Sequence, residues 1–361
     1  MRARLAWRSS SRAGAALAPA LAWALALAAA RPSVAAAGDG DAVAVAPGGP
    51  PSLAGMLERA TEALERARAA RLQARPRPAP VRVRWSPKRI ATLDVGGVLG
   101  AMLGADLDGD GRPELLAVTD QSLIAYQLSD GRARELARVS FGGAVAARRS
   151  RDPVATVALD AAAGEVLAGS SEYAHGLRAR WVRGALTQVA ELDGLPLCGQ
   201  TPARLAPGRN YFEEGGAPEA PPERFFGQRC RDVGPLAGGP ARLVARLPVE
   251  GPLRVELRPA CEPGCASERF ELPGVGVAFD VGDVDRDGGI DVAYAGAGAP
   301  GDPDAVRVVP MRDPKRTLFR RAFSGGVAAV ALIDLDGDGA DEVLAAVRLP
   351  GSPRVDLWRL N

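Results

Sequence analysis

Three nine-residue stretches decide the fold: DLDGDGRPE at 106–114, DVDRDGGID at 283–291 and DLDGDGADE at 334–342. Each has acids at positions 1, 3, 5 and 9 and glycine at position 6. Each follows a short apolar run (VLGAMLGA, VGVAFDVG, VAAVALI) that begins just after a glycine nine residues upstream of the first aspartate, namely Gly97, Gly274 and Gly325. Another apolar run follows each (LLAV, VAYA, VLAAV), so the unit reads strand, acidic loop, strand.

The repeat extends beyond the loops. KRIATLDVGG at 88–97, RELARVSFGG at 134–143 and RTLFRRAFSGG at 316–326 are strand-like and end in paired glycines, and LTQVAELDG at 186–194 and SERFELPG at 267–274 are weaker versions. Four short strands per unit of roughly 50 residues is the pattern of a propeller blade. The last unit starts at Val327, supplies three strands and reaches Asn361 without a fourth. KRIATL, ahead of the first complete unit, is the piece it lacks, so pairing the two ends closes a ring and covers its edges. A further unit at 141–193 keeps the strands, but its loop has shrunk to Asp160–Glu165, whose two carboxylates are too few for a metal. Residues 194–272 read as one blade with an insertion at about 195–240, giving five blades, or as two small blades, giving six. The predicted fold is therefore an all-β propeller of five to six four-stranded blades over 88–361.

Four carboxylates on so short a turn repel one another unless a cation is present. A hard divalent ion with flexible oxygen coordination, Ca2+, suits them better than Mg2+. The glycine at position 6 permits positive φ, and position 7 (Arg112, Gly289 or Ala340) would offer its carbonyl. EF-hand and dockerin loops open the same way but need a ligand at position 12, where this chain has Ala117, Tyr294 and Ala345.

These residues resemble the FG-GAP or VCBS-type repeats of integrin-α-like β-propellers, strongly at the three loops and across roughly 90–193 and 273–361. The resemblance implies calcium ligands at Asp106, Asp108, Asp110 and Glu114; at Asp283, Asp285, Asp287 and Asp291; and at Asp334, Asp336, Asp338 and Glu342. About three Ca2+ per chain follow, structural in role, with affinities on the order of 0.1–1 mM. Glu at position 9 and Arg286 at position 4 depart from the strictest pattern.

The N-terminal region reads separately. Arginines at 2, 4, 8 and 12 precede an apolar, alanine-rich run from Ala13 to Ala30, and Ala35-Ala36-Ala37 offers a small-residue cleavage site. That is the layout of a secretory signal peptide over 1–37, leaving an exported chain without a transmembrane segment once it is cleaved. A flexible spacer (38–51) leads to an amphipathic basic helix at 52–73 and a Pro/Arg linker at 74–87. Residues 51–89 carry ten basic residues against three acids, a possible contact for an anionic envelope surface. Residues 90–361 hold thirty basic residues and 38 acids, thirteen of the acids in the three loops.

Four cysteines in an exported chain suggest two disulfides. The Pro-Gly turn between Cys261 and Cys265 pairs those two and leaves Cys198 with Cys230 to tie down the insertion. A four-cysteine metal site lacks the two short-spaced pairs it needs. No catalytic constellation emerges: His175 is the one histidine, no GxSxG or GxxxxGK occurs, and GAGAPG at 296–301 runs into Pro300 and Pro303 where a helix should begin. Aromatics at 5% give no stacking platform for nucleic acid. The expected function is a module that binds a protein or glycan. The alternatives are a lyase or glycosidase on the same scaffold, for which Glu213, Glu214 and Glu223 form no convincing pair, and a structural envelope component.

Overall fold

The computed structural model describes residues 80–361, apart from 130–131, 144–151, 161–162, 200–201, 206, 215–220, 237–238, 260–266 and 300. The signal, spacer and helix readings over 1–73, and the Cys261–Cys265 pairing, fall outside the described residues. Within them the chain is all-β: apart from a 3-10 turn at Leu197–Gly199, every element is a strand. No described helix is long and apolar enough to cross a membrane.

Strand β1 (Lys88–Asp94) precedes a meander of β2 (Leu99–Ala105), β3 (Glu114–Thr119), β4 (Ser122–Ser129) and β5 (Arg132–Ser140). A second meander contains β6 (Ala155–Asp160), β7 (Glu165–Ser170), β8 (Gly176–Val182) and β9 (Ala185–Leu192). Next comes a seven-stranded sheet of β10 (Gly194–Leu195), β11 (Ala203–Leu205), β12 (Phe212–Glu214), β13 (Glu223–Leu236), β14 (Gly239–Pro248), β15 (Leu253–Pro259) and β16 (Glu268–Leu272). The fourth sheet holds β17 (Val275–Gly282), β18 (Asp291–Gly296), β19 (Asp304–Pro310) and β20 (Phe319–Phe323). The last comprises β21 (Val327–Ile333), β22 (Glu342–Arg348) and β23 (Arg354–Arg359), and its fourth strand is β1, antiparallel to β23 with Leu93 opposite Val355.

All five sheets are antiparallel, and one strand of each touches its neighbours' in turn: β2 against β6, β6 against β13, β13 against β17, β17 against β21 and β21 against β2. Each neighbouring pair of sheets shares its own core. In β3, Leu115 and Ala117 face the cluster shared with the last sheet, whereas Leu116 and Val118 face the one shared with the second. Because successive side chains point to opposite faces and both faces are covered, these strands read as unbroken apolar runs.

A small residue lets β2 and β21 approach one another. A Cβ on Gly104 would lie 2.4 Å from Ile333 Cγ2 on β21. Gly104→Val is therefore expected to cost about 1–3 kcal/mol through overpacking, read as a lowered urea midpoint; an unchanged midpoint would mean the two strands separate freely.

The 195–240 segment, expected as an insertion, adds strands to the third sheet. It forms β10–β12 and all of β13, a fourteen-residue strand that pairs first with β12 (Phe212 opposite Phe225) and then with β14 as far as Leu236. Leu195, Leu205, Phe212 and Phe225 form their own buried cluster against Leu167 of the second sheet. The disulfide Cys198–Cys230 joins the 3-10 turn to β13 with Cα atoms 5.4 Å apart. The described part of the 74–87 linker, residues 80–87, has no regular structure yet lies against the body. Val81 N–H donates to the Asp285 carbonyl (2.7 Å), and Trp85 stacks on Phe319 at 4.3 Å between ring centroids.

Candidate metal centre

Each acidic loop connects the first two strands of its sheet: β2 to β3, β17 to β18 and β21 to β22. Nearly the same hydrogen bonds fold all three. The position-1 carboxylate accepts from the position-6 N–H: Gly111 to Asp106 (3.0 Å), Gly288 to Asp283 (3.0 Å), Gly339 to Asp334 (2.9 Å). The position-3 carboxylate accepts from the position-5 N–H: Asp110 to Asp108 (3.1 Å), Asp287 to Asp285 (3.2 Å), Asp338 to Asp336 (3.3 Å). The acid at position 9, the buried first residue of the second strand, accepts from the position-2 N–H: Leu107 to Glu114 (2.9 Å), Val284 to Asp291 (3.0 Å), Leu335 to Glu342 (2.7 Å). Positions 4 and 6 both have positive φ, which favours glycine; Arg286, at position 4 of the second loop, takes φ 56° without it.

This folding turns three carboxylates of each loop toward a common point. Ligand atoms of Asp106, Asp108 and Glu114, of Asp283, Asp285 and Asp291, and of Asp334, Asp336 and Glu342 lie within 4.8 Å of one another in each group. Among the described residues, three groups that could hold a metal ion are thus present. The position-5 aspartates stand outside these groups and cap the N–H two residues on: Arg112 donates to Asp110 (2.8 Å), Gly289 to Asp287 (2.5 Å) and Ala340 to Asp338 (2.8 Å). The backbones of Arg112, Gly289 and Ala340 are thereby engaged as donors.

The charge cost of these groups shows in their protonation. Burial, reinforced by Asp285, Asp283 and Asp287, pushes the Asp291 carboxyl up to about 7 against the Val284 hydrogen bond. Burial likewise raises Glu342 to about 7, opposed by the Leu335 N–H and Arg359, and raises Glu114 and Asp283 above their ordinary values. Oδ1 of Asp283 and Oδ1 of Asp334 are buried without a hydrogen-bond partner. Orphaned buried carboxylate oxygens beside other carboxylates fit a hard cation, since each needs a positive partner it otherwise lacks.

The groups differ in how protein cations already serve them. In the third, Arg359 Nη2 lies 2.8 Å from Glu342 Oε1 and 3.7 Å from Asp336 Oδ2, and Arg286 reaches from the second loop to pair with Asp338. The shortened loop at 160–165 shows the limit of that trend. Glu165, buried at the start of β7 like Glu114 at the start of β3, is neutralised by Arg180 (2.5 Å) and Arg178 (3.4 Å), while Asp160 accepts from Ala163 N–H (3.2 Å). Arginine supplies the counter-charge to the buried acid there.

Elsewhere, Glu213 pairs with Arg224, Glu214 with Arg246, and Glu223 with Arg246 and Arg254. His175 Nδ1 is 2.8 Å from Asp193 Oδ1, whose side chain is fully in solvent. A feature that sequence reasoning missed is the charged seam between the third, fourth and last sheets. Arg231 of β13 binds Asp341 through both terminal nitrogens (2.6 and 2.7 Å), and Asp341 also accepts from Asp283 N–H (3.1 Å). The eighth residue of the third loop thus holds the first residue of the second.

No protein-family model matches the sequence, and no curated protein sequence matches it. Among solved structures, similar chains include the tail fiber of Staphylococcus aureus phage P68, at 9% identity over 76% of this chain and 52% of that one, with a TM-score of 0.37. AofleA from Arthrobotrys oligospora is similar at 9% identity over 74% of this chain and 84% of that one, TM-score 0.39. A protein from Lactobacillus plantarum is similar at 16% identity over 72% and 83%, TM-score 0.32. The chain spans about half the length of the phage tail fiber.

Proposed function

We propose that this chain is an exported, calcium-stabilised β-propeller of the FG-GAP or VCBS type, serving as a module that binds a protein or glycan. The observation that carries the reading is the recurrence of one hydrogen-bonded loop three times, each with three carboxylates converging from positions 1, 3 and 9. Calcium would be held by Asp106, Asp108 and Glu114; by Asp283, Asp285 and Asp291; and by Asp334, Asp336 and Glu342. When bound, the ion neutralises the acids and fixes each strand connection; it supplies no reaction. The cycle of contacts through β2, β6, β13, β17 and β21 and the pairing of β1 with β23 support ring closure. The disulfide, together with the leader-like 1–37, supports export. The basic 51–89 segment supplies the chemistry for contact with an anionic envelope surface.

A lyase or glycosidase on the same scaffold has less support, because Glu213, Glu214 and Glu223 are engaged by arginines. The calcium reading is tested by Asp108→Ala and Asp336→Ala. Each is expected to lower the melting temperature by roughly 2–6 °C in about 5 mM calcium, and hardly at all in EDTA. Equal losses in both conditions would assign these aspartates to the loop fold alone. Ligand class is tested by pull-down and glycan-array binding, and turnover of a polysaccharide panel would favour the enzyme.

A further inference from the structure

Strands β2, β6, β13, β17 and β21 line a partly open cavity of about 500 Å3 at the end of the sheets from which the acidic loops leave, with Gly104, Asp160, Arg229, Arg231, Asp280 and Leu332 among its lining residues. That volume is in the range of small-molecule sites. Three arginines line it, and two are fully employed. Arg231 holds Asp341 and donates to the carbonyls of Val281 and Leu332. Arg242 holds Asp232 (2.9 Å) and the carbonyl of Cys198 (3.4 Å).

Arg229 is different. It is 4% exposed, its guanidinium stands 5.3 Å over the Phe279 ring, and its Nη1 donates to the carbonyl of its own neighbour Gln228 (3.1 Å). Its Nε is buried without a partner. Asp280 provides an opposite charge nearby, yet its oxygens accept from the N–H groups of Val281 (2.9 Å) and Leu332 (2.7 Å), and no described carboxylate accepts a hydrogen bond from Arg229. A buried cation so poorly served lowers stability, a cost that binding sites tolerate when a ligand later supplies the missing acceptor.

We propose that this cavity is a binding site for a small molecule bearing an oxyanion, a carboxylate or phosphate, which Arg229 receives. The planar fork matches two oxygens of either group, and a charge-assisted pair gains strength away from water. Asp160, half-buried on the same lining, is an acceptor for ligand hydroxyls. The site does not rest on the calcium reading, because none of the nine converging loop carboxylates lines the cavity.

The test is thermal unfolding of the full chain in EDTA with acetate, inorganic phosphate or glucuronate at about 20 mM, with glucose as the neutral control and ionic strength matched by sodium chloride. At least one oxyanion is expected to raise the melting temperature of the wild type by roughly 2–4 °C or more, and glucose to leave it unchanged. Arg229→Met should abolish the shift and raise the ligand-free melting temperature; Asp280 keeps Arg231, its stronger neighbour, as counter-charge. Arg229→Lys, which keeps the charge and loses the fork, should retain a weakened shift. The proposal is overturned if none of the three oxyanions moves the wild type, if Arg229→Met keeps the shift, or if Arg229→Met lowers the ligand-free melting temperature as loss of a structural cation would.

Discussion

Arg231→Ala is expected to destabilise the folded chain by about 3–5 kcal/mol, because it leaves Asp341 charged, nine-tenths buried and without its bidentate partner. The loss spreads beyond one pair. Arg231 also ties the carbonyls of Val281 on β17 and Leu332 on β21, so its removal loosens the junction of three sheets where the second and third acidic loops begin. Equilibrium denaturation in urea measures it. A change under about 1 kcal/mol would mean that the pair contributes no more than an exposed salt bridge. The double variant Arg231→Met with Asp341→Leu should recover much of the loss, since an apolar pair leaves no stranded charge.

Chelation should have an effect of similar size. On the proposed three calcium sites of roughly 0.1–1 mM affinity, about 5 mM calcium would contribute ~1–2 kcal/mol per site, so EDTA should lower the melting temperature by on the order of 10 °C. The effect depends on pH in a definite direction. Asp291 and Glu342 ionise near 7 in the folded metal-free chain, against 3.8 and 4.5 for the free side chains. Between those values the folded state binds more protons than the unfolded state, so metal-free stability is highest below about pH 4 for these groups and falls as pH rises to about 7. Calcium needs the ionised forms, so its stabilisation grows over the same interval. Melting in EDTA and in calcium should therefore converge near pH 5 and diverge at pH 8. A calcium increment that stays constant from pH 5 to 8 would show that these two carboxyls do not receive the ion.

Much of the fold was legible because it repeats. Gly97, Gly274 and Gly325 stand at one fixed distance before the loops, and the apolar runs flanking them become β2 and β3, β17 and β18, and β21 and β22. KRIATL could be matched to the last sheet because a three-stranded final unit lacks an edge partner, and β1 does pair with β23. Strand β13 was hidden for a physical reason. Its alternation is carried by Arg229, Arg231 and Asp232 instead of apolar residues, and the compensating charges, Asp280 and Asp341, come from other sheets. Local pattern cannot show a buried charge whose partner lies 110 residues away.

The acidic groups that could hold a metal ion were legible in the spacing of the loops. Ligand atoms of positions 1, 3 and 9 converge as the acidic pattern implies, and Asp110, Asp287 and Asp338 at position 5, outside those groups, accept from the backbone N–H two residues on. Spacing could not show that Arg359 and Arg286 already serve the third loop, because both arrive from outside it.

The account rests on calcium in the acidic loops, and equilibrium dialysis of the full chain against calcium at pH 8 tests it most directly. The predicted result is two to three ions per chain by about 5 mM calcium, with one fewer in Asp283→Ala. Fewer than two ions per chain, or an unchanged number in Asp283→Ala, would contradict it.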